Sequence, residues 1–191
     1  VAPDYILAPE NKVDELVSAL RNSVLKLYPK LIDNPDYTAI INSQQQQRLQ
    51  ATVADAVELG AEAIVIHDEG QGQRLPLTLL LNVTDEMRVM QEEIFGPVIV
   101  SMTFRSPSEA VALANNTRYG LAATLWTENI NLALDVAPKL AAGVVWINGT
   151  NNFDAAVGFG GYKESGNGRE WGHYGLEDFL EVKSIFGYYA E

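Results

Sequence analysis

The sequence contains no cysteine, and this absence excludes several kinds of chemistry. Without cysteine among its 191 residues, the chain can form no disulfide and no thiolate metal site, and it carries no thiol nucleophile. Histidine is scarce as well: His67 and His173 are far apart in the sequence and have no histidine neighbour, so we expect no metal site. No serine stands in the G-x-S-x-G context of an activated hydrolase nucleophile.

Basic residues and long apolar runs are also few. The 13 Lys and Arg residues are outnumbered by 25 Asp and Glu, and the formal net charge of -12 would repel nucleic acids and anionic membranes. No apolar run approaches the ~18 residues of a membrane span, and the start lacks a signal-peptide pattern. With 47% hydrophobic residues the composition is that of a globular protein, which we expect to be cytoplasmic and without nucleic-acid or membrane partners.

Strand-like and helix-like segments alternate over residues 1–148. Short runs rich in β-branched residues predict strands, and apolar stripes at helical spacing predict helices. The predicted strands are 4–8, 63–67 (buried), 77–83, 98–104, 122–127 and 144–148, and the predicted helices are 11–27, 43–59, 106–116 and 129–140. Such alternation is typical of a three-layer α/β/α fold with a mainly parallel sheet.

Local signals refine these boundaries. Asn11 is the expected N-cap of the first helix, and Gly60 is a plausible residue just after the second. Residues 106–109 (SPSE) have the form of a capping box with proline at the first helical position. The composition of residues 68–73 predicts a loop.

Residues 149–175 have a different character, with eight glycines and little periodicity. The glycine-rich run 158–169 fails the G-x-G-x-x-G pattern and lacks a preceding strand, so tight turns with close backbone packing are the better interpretation. A strand pattern follows at Phe179–Ile185. We predict one domain part over 1–175 and a C-terminal strand or tail over 176–191 that pairs with another domain or subunit.

The most specific segment is EEIFGPV, residues 92–98. Gly96-Pro97 predicts a turn into a buried strand, and this turn places Glu93 and Phe95 at the strand's end, where open α/β sheets bind ligands. A carboxylate there can accept hydrogen bonds from a sugar, and an aromatic ring can support a planar ring. The alternative is a solvated helix end with Phe95 in the core.

Taken together, the motifs resemble those of the NAD(P)-dependent aldehyde dehydrogenases. The matching segments are EIFGPV at 93–98, GVVWIN at 143–148, FGGYKESGNGRE at 159–170, and GL and VK at 175–176 and 182–183. The first seven residues resemble the segment directly after the catalytic cysteine in the class 3 and coniferyl aldehyde branch. Residues 146–172 are similar to another branch, as in a mosaic or a divergent member.

This resemblance implies roles for five residues. Glu93 would bind the nicotinamide ribose and Phe95 would lie against the nicotinamide, whereas Asn148, Phe153 and Phe159 would line the substrate tunnel. The parent enzyme would use NAD or NADP, and we expect the isolated chain to bind neither. The C-terminal strand would serve subunit association, which makes a homo-oligomer the expected assembly.

The resemblance also implies that catalytic groups lie outside this chain. The cysteine nucleophile is expected immediately before Val1, and the general-base glutamate, the oxyanion-hole asparagine and the Rossmann domain are expected further upstream. Val1 in place of methionine agrees with a processed or trimmed chain. We therefore expect the catalytic-domain part of an enzyme that oxidises an aldehyde to a carboxylic acid, inactive alone. The alternative is a stand-alone or engineered scaffold or binding domain derived from the family.

Overall fold

A computed structural model describes residues 1–67 and 72–188 of the chain, which fold as two compact units. The first unit spans Val1–Thr117 and the second begins at Arg118. Residues 68–71, the larger part of the loop predicted at 68–73, lie outside the described residues.

The first unit alternates strands and helices as the sequence predicts. Its elements in the described residues are β1 (Tyr5–Pro9), α1 (Val13–Leu27), α2 (Ser43–Glu58), β2 (Glu62–Val65), β3 (Thr78–Leu81), α3 (Arg88–Gln91), β4 (Val98–Phe104) and α4 (Pro107–Asn115). β4 coincides with its predicted range, because seven consecutive strand-forming residues are bounded by proline on one side and a capping signal on the other.

A four-stranded sheet in the order β1-β4-β3-β2 organises this unit. β1 and β3 each pair with β4 in parallel, whereas β2 pairs with β3 antiparallel. The predicted α/β class with mainly parallel pairing is thus confirmed. The expectation that the 63–67 strand is buried is wrong for β2, since it lies at the sheet's edge and leaves Ala63 and Val65 exposed.

The core of the first unit lies between the sheet and the helices. Leu80 of β3 and Val100 of β4 are fully buried, and Leu49 of α2 packs in the same cluster. Burial of each side chain of this size contributes roughly 1.5–3 kcal/mol relative to exposure, so this cluster stabilises the unit.

The start of α1 differs from the start that the sequence predicts. Asn11 does not cap α1: it lies in a 3-10 turn, Glu10–Lys12, and no side chain caps the helix. At α4 the prediction is confirmed, because the Ser106 hydroxyl accepts a hydrogen bond from the Glu109 N–H (3.2 Å). The Glu109 carboxylate accepts from the Arg105 N–H (2.8 Å), so the capping box is closed one residue earlier than expected.

The second unit has shorter elements. In the described residues they are β5 (Tyr119–Gly120), β6 (Ala122–Leu125), α5 (Ile130–Val136), β7 (Val144–Ile147), β8 (Tyr162–Lys163) and α6 (Tyr174–Glu177). β6 and β7 pair in parallel, and β5 pairs antiparallel with β8.

Close backbone packing holds the glycine-rich part of this unit. A Cβ atom at Gly143 would collide with the carbonyl group of Gly160, and one at Gly160 would collide with the carbonyl oxygen of Gly168. Only glycine permits such approach between backbones. The predicted tight turns are therefore confirmed.

The C-terminal segment differs from the sequence-based expectation. A strand was expected at Phe179–Ile185, but in the described part of the chain no strand follows β8. Apolar side chains of this segment are highly exposed, with Val182 at 98% and Ile185 at 86%. At its start the N–H groups of Phe179 and Leu180 donate to the carbonyl oxygens of Leu176 (3.0 Å) and Glu177 (3.1 Å), and no strand among the described residues pairs with the segment.

Candidate functional site

Glu93 and Phe95 lie on a loop, residues 93–97, between α3 and β4. Both side chains are exposed, and the Phe95 ring is 81% accessible. The alternative that places Phe95 in the core is therefore wrong. Phe95 has a positive φ of 52°, an unusual conformation for an aromatic residue, and such strain concentrates at functional sites.

Two buried contacts anchor the 93–97 loop. The side chain of Ile94 is 1% exposed and packs in the core. A Cβ atom at Gly96 would lie 2.6 Å from the methyl carbons of Leu49, so the α2 side chain fills the space beside this glycine. The buried contacts of Ile94 and Gly96 therefore fix the loop, while the side chains of Glu93 and Phe95 are exposed.

Arg48 and Asp4 approach the same loop from two other parts of the chain. The Arg48 guanidinium donates to the Ile94 carbonyl oxygen (2.6 Å) and to Gln45 Oε1 (2.7 Å). The Asp4 carboxyl group lies near the backbone N–H groups of Ile94 and Phe95, which lower its pKa. Residue 4 of the chain is thus close to the loop that carries Glu93 and Phe95.

Asp4 is electrostatically coupled to this loop. Burial raises the pKa of its carboxyl group, and the negative charge of Glu93 raises it further. The two loop N–H groups and the Arg48 guanidinium oppose this by lowering the pKa. Two carboxylates and one guanidinium therefore share one end of the sheet.

The loop lies at the amino end of β4, since Val98 is the first residue of that strand. The sequence-based argument relied on ligand sites beside strand ends, which in open α/β sheets are the carboxyl ends. Here the amino ends of β1 and β4 come together, because the Val100 N–H donates to the Asp4 carbonyl oxygen (3.0 Å). An exposed carboxylate and an exposed ring on an anchored loop can bind the hydroxyl groups of a sugar and the face of a flat ring.

Asn148, predicted to line a substrate tunnel, follows β7 in the second unit. Its Oδ1 accepts from the Thr127 N–H (2.9 Å) and its Nδ2 donates to the Thr127 carbonyl oxygen (2.8 Å). Its backbone has a positive φ of 52°. Asn148 therefore clamps the segment after β6 to the segment after β7.

Phe153 and Phe159, the other two predicted tunnel residues, belong to one aromatic cluster. Their ring centroids are 5.3 Å apart in an edge-to-face arrangement. Trp146 and Trp171 complete the cluster, with centroids 5.5 Å from that of Phe153. The sequence had indicated the two phenylalanines but neither tryptophan.

The two histidines lie in different surroundings. His67 is buried, and the ring of His173 stacks on Tyr174 with centroids 3.8 Å apart. In residues 1–67 and 72–188 no three His, Asp or Glu side chains come together in a group that could hold a metal ion. Nor is any helix among those residues long and apolar enough to cross a membrane.

The site residues that sequence reasoning missed are Asp4, Arg48 and Trp171. Asp4 lies within the initial segment whose family resemblance had been noted, and Trp171 directly follows the GRE motif, so proximity to a motif was the available signal. Arg48 carries no such signal, because its role depends on α2 passing beside the 93–97 loop.

Comparison with known proteins gives consistent results. The model of the aldehyde dehydrogenase family matches residues 1–185. A probable coniferyl aldehyde dehydrogenase of Pseudomonas aeruginosa is 42% identical over 188 residues, which cover 97% of this chain and 40% of that protein. Aldehyde dehydrogenase 1A1 of Homo sapiens is 37% identical over 192 residues, covering 97% of this chain and 38% of that protein.

Solved structures agree with these relatives. Betaine aldehyde dehydrogenase of Staphylococcus aureus in complex with NAD+ superposes with a TM-score of 0.84 and 30% identity, over 98% of this chain and 41% of that one. An NAD+ complex of an aldehyde dehydrogenase from Bacillus cereus has a TM-score of 0.82 and 36% identity, over 95% and 38%. The chain thus spans about two fifths of the length of the proteins that it matches. It belongs to the aldehyde dehydrogenase family.

Proposed function

We propose that this chain is the part of an NAD(P)-dependent aldehyde dehydrogenase that completes its nicotinamide site and substrate tunnel. The parent enzyme oxidises an aldehyde to a carboxylic acid. The observation that carries the proposal is the pair Glu93 and Phe95, both exposed on a loop that Ile94 and Arg48 hold in place.

In this proposal the residues of the 93–97 loop bind and orient the cofactor. The Glu93 carboxylate accepts hydrogen bonds from the ribose hydroxyls, and charge-assisted bonds of this kind are about twice as strong as neutral ones. The Phe95 ring packs against one face of the nicotinamide and so determines which face meets the substrate. When bound, NAD(P)+ supplies the hydride acceptor. Relatives solved with NAD+ support a nicotinamide nucleotide as the ligand.

We propose that the thiol nucleophile comes from a segment before Val1. Residues 1–7 resemble the segment after the family's catalytic cysteine, and the 191 residues contain no cysteine. Thiolate attack on the aldehyde carbon requires that group. The pairing of β1 with β4, which brings Asp4 close to the 93–97 loop, would then keep the nucleophile's segment beside the nicotinamide loop. We expect the chain alone to be inactive and to bind no nucleotide tightly.

The reading frame upstream of Val1 and an activity assay test this proposal together. A cysteine codon directly before Val1 is expected, and the protein extended to include the upstream region should reduce NAD+ or NADP+ when given an aldehyde. The 191-residue chain should not. Aldehyde oxidation by the 191-residue chain would overturn its inactivity. A native start at Val1 without an upstream nucleotide domain would favour the scaffold alternative, which the missing cysteine makes worth testing.

Glu93→Gln in the extended protein tests the role of the carboxylate. We expect the KM for the nucleotide to rise about tenfold, because one charged hydrogen bond contributes roughly 1.5–3 kcal/mol. Glu92→Gln is the matched control: this neighbouring carboxylate is also partly exposed but bonds to Arg88 (3.0 Å). Equal effects of the two substitutions on KM would show that Glu93 has no specific role.

A further inference from the structure

Two asparagine residues of the second unit directly precede glycine, in the pairs Asn148-Gly149 and Asn167-Gly168. In such a pair the backbone nitrogen of glycine can attack the side-chain amide carbon of asparagine, because glycine has no Cβ atom to obstruct the approach. Both asparagines are exposed, so access of water does not distinguish them. The two pairs differ in how the amide group of the asparagine is held.

The amide group of Asn148 is bonded through both of its polar atoms. Its Oδ1 accepts from the Thr127 N–H (2.9 Å), and its Nδ2 donates to the Thr127 carbonyl oxygen (2.8 Å). A Cβ atom at Gly149 would lie 2.8 Å from Asn152 Nδ2, so another side chain occupies the space beside this glycine. Attack at Asn148 therefore requires that both hydrogen bonds break and that the amide group turns away from Thr127.

The amide group of Asn167 is not restrained in this way. In the part of the chain that the structure describes, no hydrogen bond reaches this side chain, whereas the Gly168 carbonyl oxygen accepts from Arg169 (2.7 Å). Gly166 has a positive φ of 137°, and a Cβ atom there would meet no atom closer than 3.9 Å. Because glycine flanks Asn167 on both sides, the backbone here can rotate into the geometry that attack requires.

We propose that Asn167 is a site of spontaneous deamidation, a covalent modification that needs no reactant other than water. The Gly168 nitrogen bonds to Asn167 Cγ, the Cγ–Nδ2 bond breaks, and ammonia leaves with the proton of the Gly168 N–H. Water then opens the resulting succinimide ring at either of its two carbonyl carbons, which yields aspartate or isoaspartate. The proposal goes beyond the proposed function and does not depend on it.

The modification should loosen the packing of residues 158–170. In isoaspartate the main chain runs through the former side chain and is longer by a methylene group, so Gly168 must shift. A Cβ atom at Gly160 would lie 2.3 Å from the Gly168 carbonyl oxygen, so these two backbone segments have no spare room. The new carboxylate also adds negative charge near Asp178, whose Oδ2 would lie 3.3 Å from a Cβ atom at Gly168.

Mass spectrometry of peptides from the 191-residue chain, sampled during incubation in mildly alkaline buffer, measures both rates of deamidation. Asn167 should react about tenfold faster than Asn148, because two hydrogen bonds must first break at Asn148. In concentrated urea, where the chain unfolds and these hydrogen bonds are lost, the two rates should approach each other. Equal rates in the folded chain, no reaction at Asn167, or the same ratio with and without urea would overturn the proposal.

Two variants test the reaction and its effect on stability. Gly168→Ala should slow the reaction at Asn167, because the added methyl group obstructs the attacking nitrogen and meets only Asp178 Oδ2, at 3.3 Å. Asn167→Gln should stay unmodified, since glutamine would have to form a larger ring. After incubation the urea midpoint of the unsubstituted chain should fall and that of Asn167→Gln should not. An equal fall in both would show that deamidation at Asn167 does not loosen residues 158–170.

Discussion

At the scale of single residues, position 96 has no room for a side chain. A Cβ atom there would lie 2.6 Å from two carbon atoms of Leu49, which is 1% exposed and packed in the core. Leu49 can yield only by disturbing that core. Gly96→Ala should therefore lower the free energy of unfolding by about 1–3 kcal/mol, the usual cost of overpacking.

Urea denaturation of the 191-residue chain measures this effect. Gly187→Ala is the matched control, because a Cβ atom at Gly187 meets no atom within 4 Å. We expect no more than a few tenths of a kcal/mol for the control, as for most surface substitutions. Equal midpoints for the two variants would mean that Leu49 does not confine the 93–97 loop.

Asp4 should make stability depend on pH. Burial first and Glu93 second raise the pKa of its carboxyl group in the folded state. A raised pKa means that the folded state binds the proton more tightly than the unfolded state, so stability falls as pH rises through the folded-state value. Asp4→Asn cannot ionise, and its stability relative to the unsubstituted chain should increase from mildly acidic to neutral pH.

Urea denaturation midpoints of the unsubstituted chain and of Asp4→Asn, each measured at mildly acidic and at neutral pH, test this prediction. Asparagine has nearly the size of aspartate and keeps an oxygen near the N–H groups of Ile94 and Phe95, so the fold of the loop should persist. A pH-independent difference for Asp4→Asn would contradict the proposed coupling.

The sequence could identify Glu93 and Phe95 but not the residues that hold them. The EIFGPV motif is continuous, so it is visible in a linear sequence. Asp4 reaches the loop only because β1 pairs with β4, whose residues follow it by more than ninety positions. Arg48 reaches the loop only because α2 packs beside it. Contacts of this range depend on tertiary structure, which local patterns do not specify.

At the scale of elements, the start of α2 depends on one side chain. Asn42 Oδ1 accepts a hydrogen bond from the Gln45 N–H (2.9 Å) and so satisfies one of the helix's unpaired donors. α2 carries both Leu49 and Arg48, so its first turn supports the 93–97 loop. Asn42→Ala should lower the free energy of unfolding by about 1 kcal/mol. Chemical denaturation measures it.

Asn22→Ala is the control for this substitution. Asn22 is exposed in the middle of α1, where alanine has the higher helix propensity, so a small gain in stability is expected. Losses of equal size at the two positions would show that the Asn42 cap contributes nothing.

The sequence predicted most of the strands and helices, but it predicted only part of how the strands pair. Apolar runs marked β4 and the paired strands β6 and β7, and the parallel pairing follows from the intervening helices. The antiparallel direction and edge position of β2 carry no local signal, because an apolar run predicts a strand and not its neighbours. The N-cap predicted at Asn11 was wrong, because Asn11 lies within a 3-10 turn that precedes α1.

At the scale of the whole molecule, the chain exposes apolar surface that its own described residues do not cover. Phe179, Leu180, Val182, Ile185 and Phe186 are each at least 67% exposed. Exposed apolar patches of this kind mark interaction sites. A segment with strand-forming residues can add to a sheet edge of another chain, in line with the homo-oligomer expected from the sequence.

The 191-residue chain should therefore self-associate through residues 179–188. The net charge of -12 opposes contact between copies, so association should strengthen as salt screens this repulsion. Val182→Glu should weaken it, because the substitution places a charge on a side chain that is 98% exposed in the single chain and that the predicted association would bury. Ile41→Glu, at an 83% exposed position outside the segment, is the matched control. Light scattering over a range of concentrations measures this association. A strict monomer, or an equal loss of association in Val182→Glu and Ile41→Glu, would show that the C-terminal segment does not drive it.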